Sequence, residues 1–358
     1  MIWNPFKIFS QRSLGIDIGT FSIKIVELSR QGERIKLENY GEMRSRVLYK
    51  QPFRTFEKSS LSLSSKDISR AIKAILEETK ISAKTATLSI PDFSSFFTSF
   101  ELPPMSQEEI PQAVEFEARQ HIPLHLSEVS LDWQIIDQKK PSLEETSRIK
   151  ILLVAVPKEV IYQYQAIVTP FSFKNFALEA EAFALLRSLV KEEEKVVCLI
   201  DIGAQSTTAS IIDKGVLKES YSFDVFSGNQ LTQVLSKALD VDFGRAEKLK
   251  KKYGLLVNAN KKISQILVPS VNLILIEAEK ICRQFRRTGK KEVNKFILAG
   301  GSARLPGLKE YFSDHFKKEV VIGNPFSDIF YAPILEKHLK EIGPGFAIAV
   351  GAGLRNFQ

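Results

Sequence analysis

The sequence predicts an α/β protein of two lobes, each built from the same β-rich unit, and three observations carry that prediction. At 358 residues the chain is longer than one ordinary core and suits two lobes. A buried strand, an Asp-Ile-Gly turn and an alternating strand open the chain at Leu14-Gly15-Ile16-Asp17-Ile18 and recur around Asp201-Ile202-Gly203. Internal duplication is the simplest account of that recurrence. With 44% hydrophobic and 26% charged residues, the composition is that of a folded chain.

Each element follows from its pattern. Residues 14–18 form a buried strand, Gly19-Thr20-Phe21-Ser22 a tight turn, and 23–28 a second strand. Gly32 centres the next turn, before a third strand at 35–40, and the polar stretch 50–65 reads as a loop or irregular segment. Ile68, Ala71, Ile72, Ile75 and Leu76 recur at helical spacing over 66–80. A second module is expected from Ala83, with strands at 85–90, 97–102, 129–136 and 149–156 and a helix at 158–168. Within it, Ser106 and Glu109 form a capping box for a further helix, and 138–147 reads as an exposed hairpin loop. The duplicated unit then returns at 196–202 and 206–212, followed by helices at 228–239, 245–253 and 266–287. A last strand at 295–298 opens into Ala299-Gly300-Gly301-Ser302.

Composition excludes several classes. Two cysteines make no disulfide framework, and Cys198 lies inside an apolar run, as a buried thiol would. No stretch has the roughly 18 apolar residues of a membrane span. Residues 1–12 lack the apolar core and cleavage site of a secretory signal, although Trp3, Phe6, Ile8 and Phe9 could dock on the folded body or on a membrane surface. The formal charge of +8 is scattered, without a nucleic-acid-binding signature, so no nucleic-acid partner is expected.

The chemistry sits in the turns. An acidic residue ending a strand, followed by a glycine turn and hydroxyls, exposes backbone N–H groups that can surround phosphate oxygens. Asp17 with Gly19, Thr20, Phe21, Ser22 and Lys24 makes one such site; Asp201 with Gly203, Ala204, Gln205, Ser206 and Thr207 makes the other. The carboxylates cannot bind phosphate directly but can hold Mg2+ through water. A single Asp-X-Gly turn is equally a plain hairpin; two in a duplicated chain are far more specific. Gly300-Gly301-Ser302 offers side-chain-free backbone for a flat ring, against the plainer reading of a helix-entry turn capped by Ser302.

In that order, the Asp17 turn, the Asp201 turn and Gly300-Gly301-Ser302 resemble phosphate 1, phosphate 2 and the adenosine motif of the actin-like ATPase superfamily. The chain further resembles the PilM family of type IV pilus assembly. That resemblance rests on Leu14 to Gly19, Val26-Glu27-Leu28, Glu101-Leu102-Pro103, Glu117 to Pro123, Gly244 to Lys250, Gly300 to Leu308 and the closing 347–354 helix. The resemblance implies a duplicated, RNase H-like fold with subdomain 1A (1–82, 169–195, 335–358), 1C (83–168), 2A (196–222, 290–334) and 2B (223–289). It implies ATP and Mg2+ in the central cleft, with Glu247 and Lys250 at ribose-contacting positions. Lys24 matches a frequent family position, with an exposed strand side chain as the alternative. The implied partner is the N-terminal cytoplasmic peptide of PilN in a 1A/1C groove. Through it the protein would sit at the cytoplasmic face of the inner membrane, beside other pilus machinery serving twitching motility. No general base is apparent, catalytic residues stay unassigned, and His121 and His125 are expected far from the cleft, so at most slow ATPase activity is expected.

Two other classes remain open at this level. A sugar kinase of the same superfamily would need a polar sugar pocket with a carboxylate base. An FtsA-like filament protein would be expected to end in an amphipathic membrane helix, which Gly353 to Gln358 does not resemble.

Overall fold

The structure is a computed structural model that describes residues 11–45, 52–57, 60–138, 148–191, 195–223 and 227–358. The aromatic stretch at 1–10 and most of the expected 138–147 hairpin loop lie outside the described residues.

Two five-stranded sheets repeat one topology. In the first, β1 (Gln11–Ile18), β2 (Ser22–Gln31) and β3 (Arg34–Arg44) run antiparallel. Two parallel strands, β6 (Thr85–Ile90) and β10 (Asn175–Ala180), extend the sheet beyond β1. In the second, β11 (Val197–Ile202), β12 (Thr207–Asp213) and β13 (Val216–Phe223) are the antiparallel set. There β14 (Lys295–Ala299) and β15 (Glu319–Ile322) are the parallel extension. The orders β10-β6-β1-β2-β3 and β15-β14-β11-β12-β13 therefore correspond strand for strand.

Strand alternation sorts these side chains into layers. Leu14, Ile16 and Ile18 face outward onto α1 (Ser65–Glu78) and α3 (Lys158–Val168). Cys198, Ile200 and Ile202 do the same toward α5 (Gly228–Leu239), α6 (Phe243–Tyr253), α7 (Lys261–Gly289) and α8 (Leu308–Phe316). Between the sheets lie α4 (Glu181–Leu189) and α9 (Glu336–Leu354), whose Ala184, Leu185, Ala347 and Ala352 meet Val197, Leu199 and Ile297. Gly15 and Asp17 share the inward face of β1, as Leu199 and Asp201 share that of β11. The residues that alternate with the core thus aim into the space between the sheets.

Three expectations are corrected here. The stretch read as a loop at 50–65 contains a two-stranded ribbon, β4 (Arg54–Glu57) with β5 (Ser60–Leu63). Phe53 and Leu61 are buried there, and that burial holds the ribbon to the body. The 83–168 segment is not one module by pairing and packing. Strand β6 is central in the first sheet, and Val160, Tyr164 and Ile167 of α3 belong to that sheet's core. What stands apart is narrower: β7 (Phe96–Leu102), β8 (Val129–Gln138) and β9 (Ile149–Pro157) in the order β7-β9-β8, under α2 (Ile110–His121). Its expected capping contact forms, the Ser106 N–H donating to Glu109 at 2.8 Å, yet regular helix starts only at Ile110, with Pro111 in the first turn. His121 stacks on Phe100 with ring centroids 5.3 Å apart, as a packing residue does.

Helix α9 carries Pro344, which has no N–H to donate to the Lys340 carbonyl one turn back. Arg304 supplies that bond instead, its Nη1 donating to Lys340 O at 2.9 Å. The glycine-rich segment after β14 is thereby tied to α9, and the Gly300 N–H adds a second link to Pro344 O at 2.9 Å.

Candidate functional site

The two Asp-Gly turns face each other across a cleft of about 120 Å³ between the sheets. They are built alike: the Gly19 N–H donates to Ser22 O at 2.9 Å, and the Gly203 N–H to Ser206 O at 3.0 Å. Thr20 Oγ1 reaches Gln205 Oε1 at 3.4 Å, a direct contact from one turn to the other. Thirteen of the expected site residues line the cleft: Asp17, Gly19, Thr20, Phe21, Ser22, Lys24, Asp201, Gly203, Ala204, Gln205, Ser206, Gly300 and Gly301.

Four do not. Thr207 is fully buried in β12, where it pairs with Ile202. Ser302 caps no helix, since α8 starts only after Gly307; its N–H donates to Ile202 O at 3.2 Å and its hydroxyl lies against Gly228. Glu247 and Lys250 sit one layer behind the cleft. There Lys250 Nζ donates to Gly228 O (2.7 Å), Thr232 Oγ1 (2.8 Å) and Glu247 Oε2 (2.7 Å), using its three hydrogens. This knot joins α5 to α6, and the Gly228 N–H in turn bonds Gly203 O at 2.9 Å. Burial raises the Glu247 carboxyl, but Lys250, Thr232 and Lys251 outweigh it and hold it at about 2. Its contribution to stability is therefore complete above pH 4.5, its ordinary value, and is lost as pH falls toward 2. Lys250→Met takes a buried donor from Gly228 O, Thr232 Oγ1 and Glu247, leaving the single Thr232 hydroxyl to serve both Gly228 O and Glu247 Oε2, and is expected to cost about 2 kcal/mol. Urea unfolding from pH 2 to 7 checks both points: the variant should show a smaller gain in stability as pH rises through that window.

Lys24 is not an exposed strand side chain. It is 14% exposed and its Nζ lies 3.4 Å from Asp17 Oδ2. Asp17 Oδ1 and Asp201 Oδ1 are buried without a hydrogen-bond partner. Gly300, at φ +87°, is backbone that only glycine adopts freely, and a Cβ there would meet Asp201 Oδ1 at 2.5 Å. Burial, then Glu181 and Asp17, push the Asp201 carboxyl up to about 7. Two orphaned carboxylate oxygens beside one cleft fit a hydrated divalent cation. Among the described residues no group of three or more acidic, His or Cys side chains could ligate a metal directly.

The structure also adds residues that the sequence reading missed. Arg54 and Glu181 line the same cleft, with Pro344, Gly345 and Ile348 of α9. Arg54 Nη1 meets Glu181 Oε1 at 2.9 Å, and both side chains are buried. Burial raises the Glu181 carboxyl despite Arg54. Burial, then Glu181, raise Asp92 well above its usual range, even though its Oδ1 accepts from the Ala182 N–H at 3.1 Å. Glu181 opens a helix directly after a strand, a faint signal; Arg54 lay in the stretch taken for a loop.

A second, more open cavity of about 580 Å³ separates the three-stranded sheet from the first lobe. Its walls include residues 130–134 of β8, Leu152, Val154 and Val156 of β9, and Phe176 and Leu178 of β10. Both β8 and β10 are edge strands of their sheets.

The family model described as type IV pilus assembly protein PilM matches residues 15–357. A solved PilM–PilN type IV pilus biogenesis complex superimposes with a TM-score of 0.80 at 22% identity, over 97% of this chain and 98% of that one. MreB5 of Spiroplasma citri bound to AMPPNP superimposes at 0.51 and 13% identity, over 97% and 96%. These likenesses show the actin-like ATPase fold. The cell division protein FtsA of Staphylococcus epidermidis is 22% identical over 221 residues, covering 55% of this chain and 47% of that protein. The chain spans about half the length of the curated relatives it matches.

Proposed function

The chain belongs to the family of type IV pilus assembly protein PilM, and from that membership we propose that it binds Mg-ATP between its two sheets and docks the N-terminal segment of PilN. One observation supports the nucleotide reading above the rest. Two equivalently built turns line one cleft, and Asp17 Oδ1 and Asp201 Oδ1 are buried beside it without a partner. Bound Mg2+ would offset the charge of the phosphates against those carboxylates. Lys24 and the hydroxyls of Thr20, Ser22 and Ser206 are the donors in reach. The glycine backbone at Gly300-Gly301 would take the adenine ring, with Glu247 and Lys250 bracing α5 against α6 behind it.

At about 120 Å³ the cleft is smaller than the ~300–1,000 Å³ of ordinary ligand pockets. Nucleotide entry would therefore part Thr20 from Gln205 and rotate the lobes, a hinge motion that would alter partner grooves. Without nucleotide Glu181 is tied to Arg54, and a slow, switch-like ATPase is the expected behaviour. Among the described residues no helix is long and apolar enough to cross a membrane. Attachment to the inner face of the inner membrane would come through the partner.

The groove between β8 and β10 is the proposed peptide site, supported by its apolar floor and two open strand edges. Calorimetric titration with Mg-ATP and with a PilN N-terminal peptide tests both halves, and absence of saturable nucleotide binding would overturn the nucleotide half. Phe176, 37% exposed on the groove wall, gives a separating variant. Phe176→Glu is expected to weaken peptide binding about tenfold or more, while Mg-ATP affinity stays within twofold.

A further inference from the structure

Arg54 is an arginine buried in a cleft where an anion is expected, and its surroundings do more than hold it. The Phe53 N–H donates to Thr20 O at 2.8 Å, and the Ser64 N–H donates to Phe53 O at 3.0 Å. The β4–β5 ribbon is therefore fastened by its own backbone to the first phosphate turn, and the next side chain along enters the cleft. Arg54 is 7% exposed; its guanidinium lies 5.3 Å from the Phe93 ring centroid, and its Nε is buried with no partner. A donor left in that state costs roughly 1–3 kcal/mol. An ion pair serving stability alone gives no reason to leave it so.

The cleft carries more acidic than basic side chains, so an anion entering it needs a donor freed from its present partner. Asp17, Asp201, Glu181 and Asp92 are buried together, against Lys24 and Arg54. Both cations have a partner on the cleft wall, Lys24 with Asp17 at 3.4 Å and Arg54 with Glu181 at 2.9 Å, so either could exchange it for an anion. A planar guanidinium fork matches phosphate oxygens as well as it matches a carboxylate.

We propose that Arg54 distinguishes a nucleoside triphosphate from a diphosphate, its guanidinium exchanging Glu181 for the terminal phosphate. The exchange moves hydrogen bonds only and breaks no covalent bond. It carries two consequences: the β4–β5 ribbon follows the arginine and so reports the state of the nucleotide, and the Glu181 carboxylate is released beside the phosphate. This inference rests on the nucleotide reading above.

The test is calorimetric titration of Mg-AMPPNP and Mg-ADP into wild type, Arg54→Gln, Arg54→Lys and Glu181→Gln. Arg54→Gln should weaken AMPPNP about tenfold to a hundredfold and ADP less than threefold. Arg54→Lys should lie between it and wild type. Glu181→Gln, which weakens the competing partner, should tighten AMPPNP relative to ADP. Arg54→Gln strands a buried carboxylate; if it fails to fold, the double variant Arg54→Gln/Glu181→Gln replaces it and should show wild-type ADP affinity with the triphosphate preference gone. An unchanged triphosphate-to-diphosphate ratio in the folded variant, or equal loss of both ligands, overturns the proposal and leaves Arg54 a structural ion pair. A wild type that binds neither nucleotide overturns the nucleotide reading itself, and this inference with it.

Discussion

Asp201→Ala is expected to lose roughly 10–100-fold in affinity for Mg-ATP, while binding of the PilN peptide changes little. The carboxylate stands one residue before the end of β11, is 8% exposed, and keeps Oδ1 without a partner beside the space that Gly300 leaves open. Its proposed work is to hold water around the metal, so its removal acts through Mg2+. Without the metal the same carboxylate only repels phosphate. In EDTA the variant should therefore bind ATP as well as wild type or better. Titrations with and without Mg2+ check that reversal. Equal affinities of the two proteins in Mg2+ would remove Asp201 from the site. The fold should survive, because the substitution takes away a buried acid whose neighbours Glu181 and Asp17 already disfavour its charge.

Gly15→Ala is expected to be the most destabilising small substitution in the first lobe, at roughly 3 kcal/mol or more. A Cβ at that position would lie 1.7 Å from Ala349 O and 2.4 Å from Gly353 N. Both atoms are backbone of α9, so no side chain can turn aside; the helix itself must move. That helix also contacts α4 and the second sheet through Ala347, Ile348 and Ala352, so the displacement loosens the joint between the lobes. Gly301, with nothing within 4 Å of the same position, is the control. Thermal unfolding should show a fall of several degrees for Gly15→Ala and almost none for Gly301→Ala.

Much of this was legible in the chain. The buried runs at 14–18 and 196–202 and the glycine turns after them marked Asp17 and Asp201 as candidates, and both line the cleft. Hydrophobic spacing located α3 and α5 to the residue and α1 to within one or two residues at each end. The cleft's misses have a common cause. Arg54 reaches it from a short ribbon whose sequence reads as polar loop, and Glu181 reaches it from a helix far along the chain. The two meet at 2.9 Å only once β10 has paired with β6. Lys24 was a candidate with an exposed strand side chain as the alternative, and only the folded chain decides between the two, because α9 approaches that face with Gly345 close to its side chain.

The sequence by itself determined the duplicated sheet unit, the two turns and their family. Those are local patterns, set by strand alternation and glycine turns, and they survive in any context. Tertiary structure alone decided which side chains confront one another across the cleft: Lys24 with Asp17, Arg54 with Glu181, and Lys250 with Glu247 and Thr232 behind it. It also decided that β6 and α3 serve the first lobe, because pairing and burial join segments that are distant in sequence, and no spacing along the chain encodes that partnership.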